Sequence, residues 1–504
     1  MGKIKEVSRT IQKGNRKYNS VICIISVLII LGSVFFFEID LQKSKAESII
    51  TIVVICVLII LLLIYSLDLV EFHKFAFVFI LFVGGLSLFI QPILNIPDEV
   101  AHFSRAEIVS QGQIIMDSDR QEYEAIQSVE DMKNNLKKSY IFSDLKGKKI
   151  DYDSQEVNHV AASNISYLYF PQAFGIIIAK VLRLDVIWLL WLGRFFNLLW
   201  YSFLVAFSIK LAPKLKFSLF FVATLPMSIQ QAASYSPDAT INGLSFLLIG
   251  YFLNLYCKKD IKITNKQFIV FWGIGILLTM AKVTDIFLVG LILLIPMEKF
   301  TTRKREILVK GLVIIGAIFV GGVYYSYAMG FPSAKEHQIY LESINVNSQA
   351  QIQYILNNIL SWAHDFGASI INQLITYVGE LNYFGWFEYS YPILTVIMLF
   401  MYGKICFQEE GIYIRKLDKF LVVLMMGGIY VASCLALYIT WTPVGETGVM
   451  GMQGRYLIPA LALMPLVCNS IDNKGEKQEK HMGDMTVISI MVGAMLIVTA
   501  ARYY

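Results

Sequence analysis

Phe75-Ala-Phe-Val-Phe-Ile-Leu-Phe-Val-Gly-Gly-Leu-Ser-Leu-Phe-Ile90 carries no charge, and shortly after it the chain reads Asn95-Ile-Pro-Asp-Glu-Val-Ala-His-Phe-Ser-Arg105. Extended to Ile93, the apolar run approaches the roughly 20 residues an α-helix needs to cross the hydrocarbon of a bilayer. The stretch behind it gathers Asp98, Glu99, His102 and Arg105 at one membrane edge. Pro97 suits the first turn of a helix, and the two carboxylates after it sit where the helix dipole favours negative charge. Asp98 and His102 are then about one turn apart, with Arg105 following on the same face. An ordinary acidic helix start looks the same, so the meaning of this stretch depends on where the remaining charge lies.

Composition places the chain among membrane proteins. Its 504 residues are 56% hydrophobic and only 16% charged, with a mean hydropathy of +0.59, far too apolar for an ordinary soluble domain. We read an all-α polytopic membrane protein. The first apolar run, Val21 to Phe37, lacks a small-residue cleavage pattern and follows a basic tail, so it reads as a retained helix. The net charge of +5 belongs to cytoplasmic segments and indicates no nucleic-acid partner. Cys23, Cys56, Cys257, Cys406, Cys434 and Cys468 lie in or beside apolar runs without metal-ligand spacing, and read as packing residues. No P-loop or GxGxxG opens a helix after a strand.

Orientation follows from loop charge. Lys3, Lys5, Arg9, Lys13, Arg16 and Lys17 precede the first span and put the N-terminus in the cytoplasm. The chain divides into a basic tail (1–19), three spans (20–93), an extracytoplasmic loop with the acidic motif (94–165), a transmembrane core (166–329), a second extracytoplasmic loop (330–388) and C-terminal spans (389–504). In the first loop Tyr123, Ile126, Val129, Met132 and Leu136 recur at helical steps, which predicts an amphipathic helix on the membrane surface. Between Ser166 and Lys210 two apolar runs flank Arg183, and an odd number of crossings makes one of them short, tilted or re-entrant. Phe217 to Gln230 then leads outward to Ser234-Tyr-Ser-Pro-Asp238. Two short runs meet at Ala281-Lys-Val-Thr-Asp285 as a hairpin that dips Lys282 toward the outer half of the membrane. The loop Trp441 to Arg455 and the C-terminus fall outside as well.

Five polar groups thus reach one side: Asp98 with Glu99, His102 with Arg105, Asp238, Lys282, and Gln453-Gly-Arg455. A carboxylate there can act as general base or hold a divalent cation; Mg²⁺ or Mn²⁺ is compatible, although no cluster has diagnostic ligand spacing. Arginine and lysine at a bilayer boundary suit a lipid phosphate. Taken singly, each has a plainer reading: Asp238 as a helix cap, Lys282 and Arg455 as residues snorkelling to headgroups. Arg194, inside an apolar run, needs a partner. Glu380 is a second-line candidate for substrate binding. Tyr377, Tyr383, Phe384, Trp386, Phe387 and Tyr389 read as an interfacial aromatic belt.

The pairing of Pro97-Asp-Glu-Val-Ala-His-Phe103 with Gln453-Gly-Arg-Tyr-Leu-Ile-Pro459 resembles the DUF2142 family of bacterial membrane proteins, whose usual motif is Pro-Asp-Glu-Pro-Ala-His-Phe. Tyr169-Phe-Pro171 and the segment from Leu225-Pro-Met to Gln231-Ala-Ala-Ser-Tyr-Ser-Pro-Asp238 look like its middle motifs, so the resemblance runs from about Gln91 to Pro465. Val100 replaces the motif's second proline, and the first two spans look like an N-terminal addition. That family is similar to the GT-C glycosyltransferases. The resemblance implies a GT-C-like helix bundle with two large extracytoplasmic loops carrying amphipathic helices, in the bacterial cytoplasmic membrane. It implies Asp98 as base or essential carboxylate, Glu99 as its partner, Asp238 as the second acidic position and Arg455 as holder of the donor phosphate. The expected reaction moves a sugar from a polyprenyl-phosphate donor to a glycan or lipid-linked acceptor, with inversion. His102 and Arg105 would orient the carboxylates, and Lys282 would assist Arg455. The alternatives are a transporter or flippase, and a polymerase or ligase, of lipid-linked glycans.

Overall fold

The computed structural model describes residues 44–120, 122–158, 160–258, 262–331, 335–385, 392–409, 411–468 and 481–504. The first apolar run, Val21 to Phe37, and the aromatics Trp386, Phe387 and Tyr389 lie outside these. Among the described residues seven helices are long and apolar enough to cross a membrane: Lys45–Ser66, Phe72–Ile90, Ile187–Leu211, Asp238–Cys257, Arg303–Ala328, Lys416–Thr440 and Met482–Tyr503. The protein is a multi-pass, all-α membrane protein, and Cys56, Cys406, Cys434 and Cys468 are free thiols.

Ile187–Leu211 is the central pillar, packed against Phe72–Ile90, Phe170–Val181 and Asp238–Cys257. Lipid tails are as apolar as leucine, so helices in a membrane associate through close packing of small residues. Gly175 rests on the backbone of Leu192 and Gly193, and a Cβ on Gly193 would fall on the Tyr235 ring. The uncertain count between Ser166 and Lys210 resolves as one short helix, Phe170–Val181, then a turn with Arg183 at φ 49°, then one full span. The hairpin at Lys282 is formed by Asn265–Ala281 and the 3₁₀ segment Val283–Leu294, with Lys282 extended between them.

One expectation is corrected and another refined. The periodic stretch from Tyr123 to Leu136 is not one surface helix: Tyr123–Ile126 is a strand paired antiparallel with Ser154–Val157, and only Ser128–Lys133 is helical. The partner strand lies too far along the chain for local periodicity to reveal it, and its ladder outweighs a weak helical preference. Phe217 to Gln230 does lead from the Phe72 end of the bundle to the Asp98 end, as two buried short helices, Lys216–Ala223 and Pro226–Ala232, and not as one continuous helix. Pro226 cannot donate into a continuing helix, so the chain breaks there and restarts.

The second loop carries Ser348–Asn357 and Ile359–Gly379; the latter is amphipathic, with Leu360, Ile371 and Ile375 exposed. A second core of Phe366, Tyr377, Cys434, Tyr438, Val449, Met452 and Leu457 fastens that helix to Lys416–Thr440 and to the loop ending at Arg455. Tyr377 and Phe384 are therefore core residues and not members of an aromatic belt. Asn95 donates to the Tyr503 hydroxyl at 3.1 Å and the Tyr504 hydroxyl to the Phe89 carbonyl at 3.1 Å, so the chain ends at the same end of the bundle as Asp98.

Candidate functional site

The acidic helix start divides its two carboxylates between separate tasks. Asp98 stands before the Glu99–Ser110 helix in the left-handed region, at φ 62° and ψ 9°, and its side chain does not cap that helix. Aspartate tolerates this conformation better than most residues, at a cost of about 1–3 kcal/mol where it is imposed. The turn aims the carboxylate across the molecule: Asp98 Oδ2 accepts from Arg455 Nη2 at 2.7 Å. The Asp98 side chain keeps 45% of its surface exposed, while that of Arg455 keeps 4%. Arg455 Nε lies 3.4 Å from Asp238 Oδ2 on its other side. One guanidinium thus joins residues from three distant parts of the sequence.

Glu99 faces elsewhere. Its carboxylate forms a bidentate pair with Arg194, at 2.8 Å from Nε to Oε1 and 2.7 Å from Nη2 to Oε2, and both side chains are completely buried. Arg194 gives its other hydrogens to the carbonyls of Leu88, Gln91 and Pro92, so all five of its donors are used. Glu99 also accepts the Tyr235 N–H at 3.2 Å. The expectation that Glu99 partners Asp98 is corrected: Glu99 is the counter-ion that Arg194 required, and it anchors the loop before Asp238. Asn197 completes that anchor by donating to the carbonyls of Ser234 and Ser236 at 2.7 and 3.0 Å. Asp238 then opens its helix with Oδ2 buried and free of any hydrogen bond.

Arg105 turns to the first loop and away from the site carboxylates, and His102 reaches the Ser166–Tyr169 turn. His102 Nδ1 lies 2.9 Å from the Tyr169 hydroxyl, which also receives Asn164 Nδ2 at 2.8 Å. Arg105 donates to Ser166 Oγ at 2.7 Å and to the carbonyls of Gln113 and Ile114, lacing the two ends of the first loop together. Both residues share the helix of Asp98, yet helical spacing alone could not show that their faces meet the loop.

Lys282 enters from the hairpin. Its ammonium sits 4.1 Å from the centre of the Tyr456 ring, and the Arg455 guanidinium lies 5.2 Å from the same ring. Two cations thus share one aromatic ring, each stabilised by the negative potential of its faces, beside Asp98. Among the described residues no carboxylate pairs with Lys282 within 4.0 Å. Tyr456 entered the sequence reading only as a member of the Gln453–Pro459 motif, with no role given to it.

Glu380 explains why Gly454 precedes the arginine. Glu380 Oε2 accepts the Gly454 N–H at 2.5 Å, and a Cβ on residue 454 would lie 2.2 Å from the Tyr377 carbonyl and 2.8 Å from the Glu380 Cβ. Only glycine lets the Gly454–Leu457 turn sit this close to the end of the Ile359–Gly379 helix. Gly454→Ala is expected to lower stability by about 1–3 kcal/mol and to displace Arg455. Thermal unfolding in detergent checks it, and an unchanged midpoint would count against this contact. Gln453, whose side-chain oxygen is buried without a hydrogen bond, leads into the same turn.

Burial pushes the Glu380 carboxyl up to about 7, against the opposing pull of the Gly454 N–H and the Arg455 charge. The folded protein therefore holds a proton here that the unfolded chain gives up near pH 4.5. The stability contributed by the protonated form is complete below about pH 4.5 and is lost as pH rises through about 7. Glu380→Gln keeps an acceptor for Gly454, so its melting temperature is expected to overtake that of the wild type progressively between pH 5 and pH 8. Parallel curves across that range would refute this.

Among the described residues no three His, Cys, Asp or Glu side chains come together as a metal-holding group. The Arg455 guanidinium itself occupies the place between Asp98 and Asp238 where a shared cation would sit, so these two carboxylates do not fit Mg²⁺ or Mn²⁺ as they stand. Residues 81–464, more than half of the chain, match the family model described as a predicted membrane protein, DUF2142. No curated protein and no solved structure matches. The match contains Asp98, Asp238, Lys282, Glu380 and Arg455. The Lys45–Ser66 and Met482–Tyr503 helices lie outside it and pack on each other, with Gly493 against Leu58.

Proposed function

The chain belongs to the DUF2142 family of membrane proteins, and from that premise and the ion-pair geometry we propose that it is a GT-C-type glycosyltransferase of the bacterial cytoplasmic membrane. It transfers a sugar from a polyprenyl-phosphate donor to an extracytoplasmic glycan or lipid-linked acceptor, with the Asp98 end of the bundle facing outward. The observation that carries this reading is the half-exposed Asp98 carboxylate held 2.7 Å from a buried arginine, with Lys282 beside the same Tyr456 ring. A base next to two cations at the ends of membrane spans is the arrangement that a lipid-phosphate leaving group needs.

In the reaction, Asp98 accepts the proton of the acceptor hydroxyl as its oxygen attacks the anomeric carbon. The bond from that carbon to the phosphate oxygen breaks, and its electron pair leaves with the lipid phosphate. Arg455 and Lys282 hold the charge that develops there. The donor phosphate competes with Asp98 for Arg455, so donor binding frees the carboxylate when it is needed. Attack from the face opposite the phosphate inverts the anomeric configuration.

The test is purified protein with a panel of polyprenyl-phosphate sugars, following release of free polyprenyl phosphate, with Asp98→Asn as control. Turnover with at least one donor, lost in the variant, is expected. No turnover with any donor, together with lipid movement across liposomes, would instead make this a transporter. Labelling of single cysteines placed near Asp98, Asp238 and Arg455 checks the orientation, and cytoplasmic labelling of any of them removes it from the site.

A further inference from the structure

Asp285 follows Lys282 in the hairpin and is completely buried, yet neither of its carboxylate oxygens has a hydrogen-bond partner. The charges that act on it are Lys282 and Asp238, the residues that flank the candidate phosphate site. A buried carboxylate with both oxygens unbonded is costly and persists only where another requirement holds it. Elsewhere in the site Asp238 Oδ2 and Arg455 Nε, both buried and without a hydrogen bond, face each other at 3.4 Å, which leaves the Asp285 oxygens and Gln453 Oε1 as the acceptors still unanswered. The missing complement is therefore rich in hydrogen-bond donors.

Two kinds of ligand supply donors or positive charge to such a site. A metal ion is disfavoured because Lys282 and Arg455 already bring two positive charges, and among the described residues no third His, Cys, Asp or Glu joins the two aspartates. Sugar hydroxyls remain: neutral, donor-rich, and carried on the group attached to the phosphate that Lys282 and Arg455 would hold. Resting on the function proposed above, we infer that Asp285 binds the hydroxyl groups of the donor's sugar and so selects for a polyhydroxylated sugar on the lipid carrier.

Asp285→Leu keeps the size of the side chain and removes both unbonded oxygens, so it is expected to leave the apo protein as stable as the wild type or more so. Binding of two probes to the full-length protein in detergent then decides the matter: bare polyprenyl phosphate, and polyprenyl-phosphate hexose. The wild type is expected to bind the hexose-bearing lipid more tightly. In Asp285→Leu that binding should weaken by about ten- to hundredfold, the worth of hydrogen bonds to a charged group, while bare lipid binding stays unchanged. Equal loss of both probes, no loss of either, or a destabilised variant would overturn the inference and leave the proposed function standing. Failure of the wild type to bind either lipid would overturn the proposed function and this inference with it.

Discussion

Asp98→Asn is expected to slow sugar transfer by about 10²–10⁴-fold, the usual contribution of a positioned general base, while the protein folds as before. Asparagine tolerates the left-handed backbone that residue 98 adopts, so the turn should survive. Its side-chain oxygen can still accept from Arg455, so the arginine does not lose every partner. What it cannot do is take up the acceptor's proton. Because almost half of the Asp98 side chain is exposed, its contribution to stability is small, and the thermal midpoint should barely move. Alanine would be a poorer probe, since it adds backbone strain to the loss of the carboxylate. Release of polyprenyl phosphate, measured alongside thermal unfolding in detergent, gives the answer. A variant that turns over at the wild-type rate would rule Asp98 out as the base.

Glu99→Ala, one position later, is expected to do the reverse and remove the folded protein. The substitution strands the Arg194 guanidinium, with its side chain wholly buried, without its carboxylate and leaves the Tyr235 N–H unsatisfied. Breaking a buried ion pair from one side costs about 3–5 kcal/mol, a large fraction of the 5–15 kcal/mol that holds a typical protein together. The expected readout is a sharp drop in melting temperature and in the yield of detergent-soluble protein. Replacing both partners, as in Glu99→Met with Arg194→Met, should recover part of that loss, because no uncompensated charge then remains. The carbonyls of Leu88, Gln91 and Pro92 would still lack a donor, so recovery is partial. Glu99→Ala with an unchanged melting temperature and no activity would place Glu99 in the chemistry instead.

The contrast between these neighbours follows from backbone geometry. Successive residues on a helix point about 100° apart, and the left-handed turn at Asp98 widens the divergence. One carboxylate therefore meets Arg455 and the other meets Arg194, some distance into the bundle. Donor phosphate arriving at Arg455 acts on the first pair and leaves the second as scaffold.

The pairing of the acidic start with the late arginine rested on the family resemblance, whereas membrane class and most of the spans were legible from composition, apolar run length and loop charge, because transfer of apolar residues into lipid is a local and additive property. The hairpin around Lys282 was legible for the same reason: two runs too short to span must turn. Arg194 could be recognised as needing a counter-ion, since a charge inside an apolar helix is too costly to stand alone. Its partner could not be identified, because Glu99 and Arg194 meet only through the packing of helices far apart in sequence. The same holds for the strand pair at Tyr123–Ile126, the Glu380 contact that requires Gly454, and the Tyr456 ring shared by two cations. Periodicity states which face of an element is apolar; which polar side chains then converge is set by long-range contacts, and in this protein those contacts divide a four-residue charged cluster into one candidate base, one buried ion pair and two loop anchors.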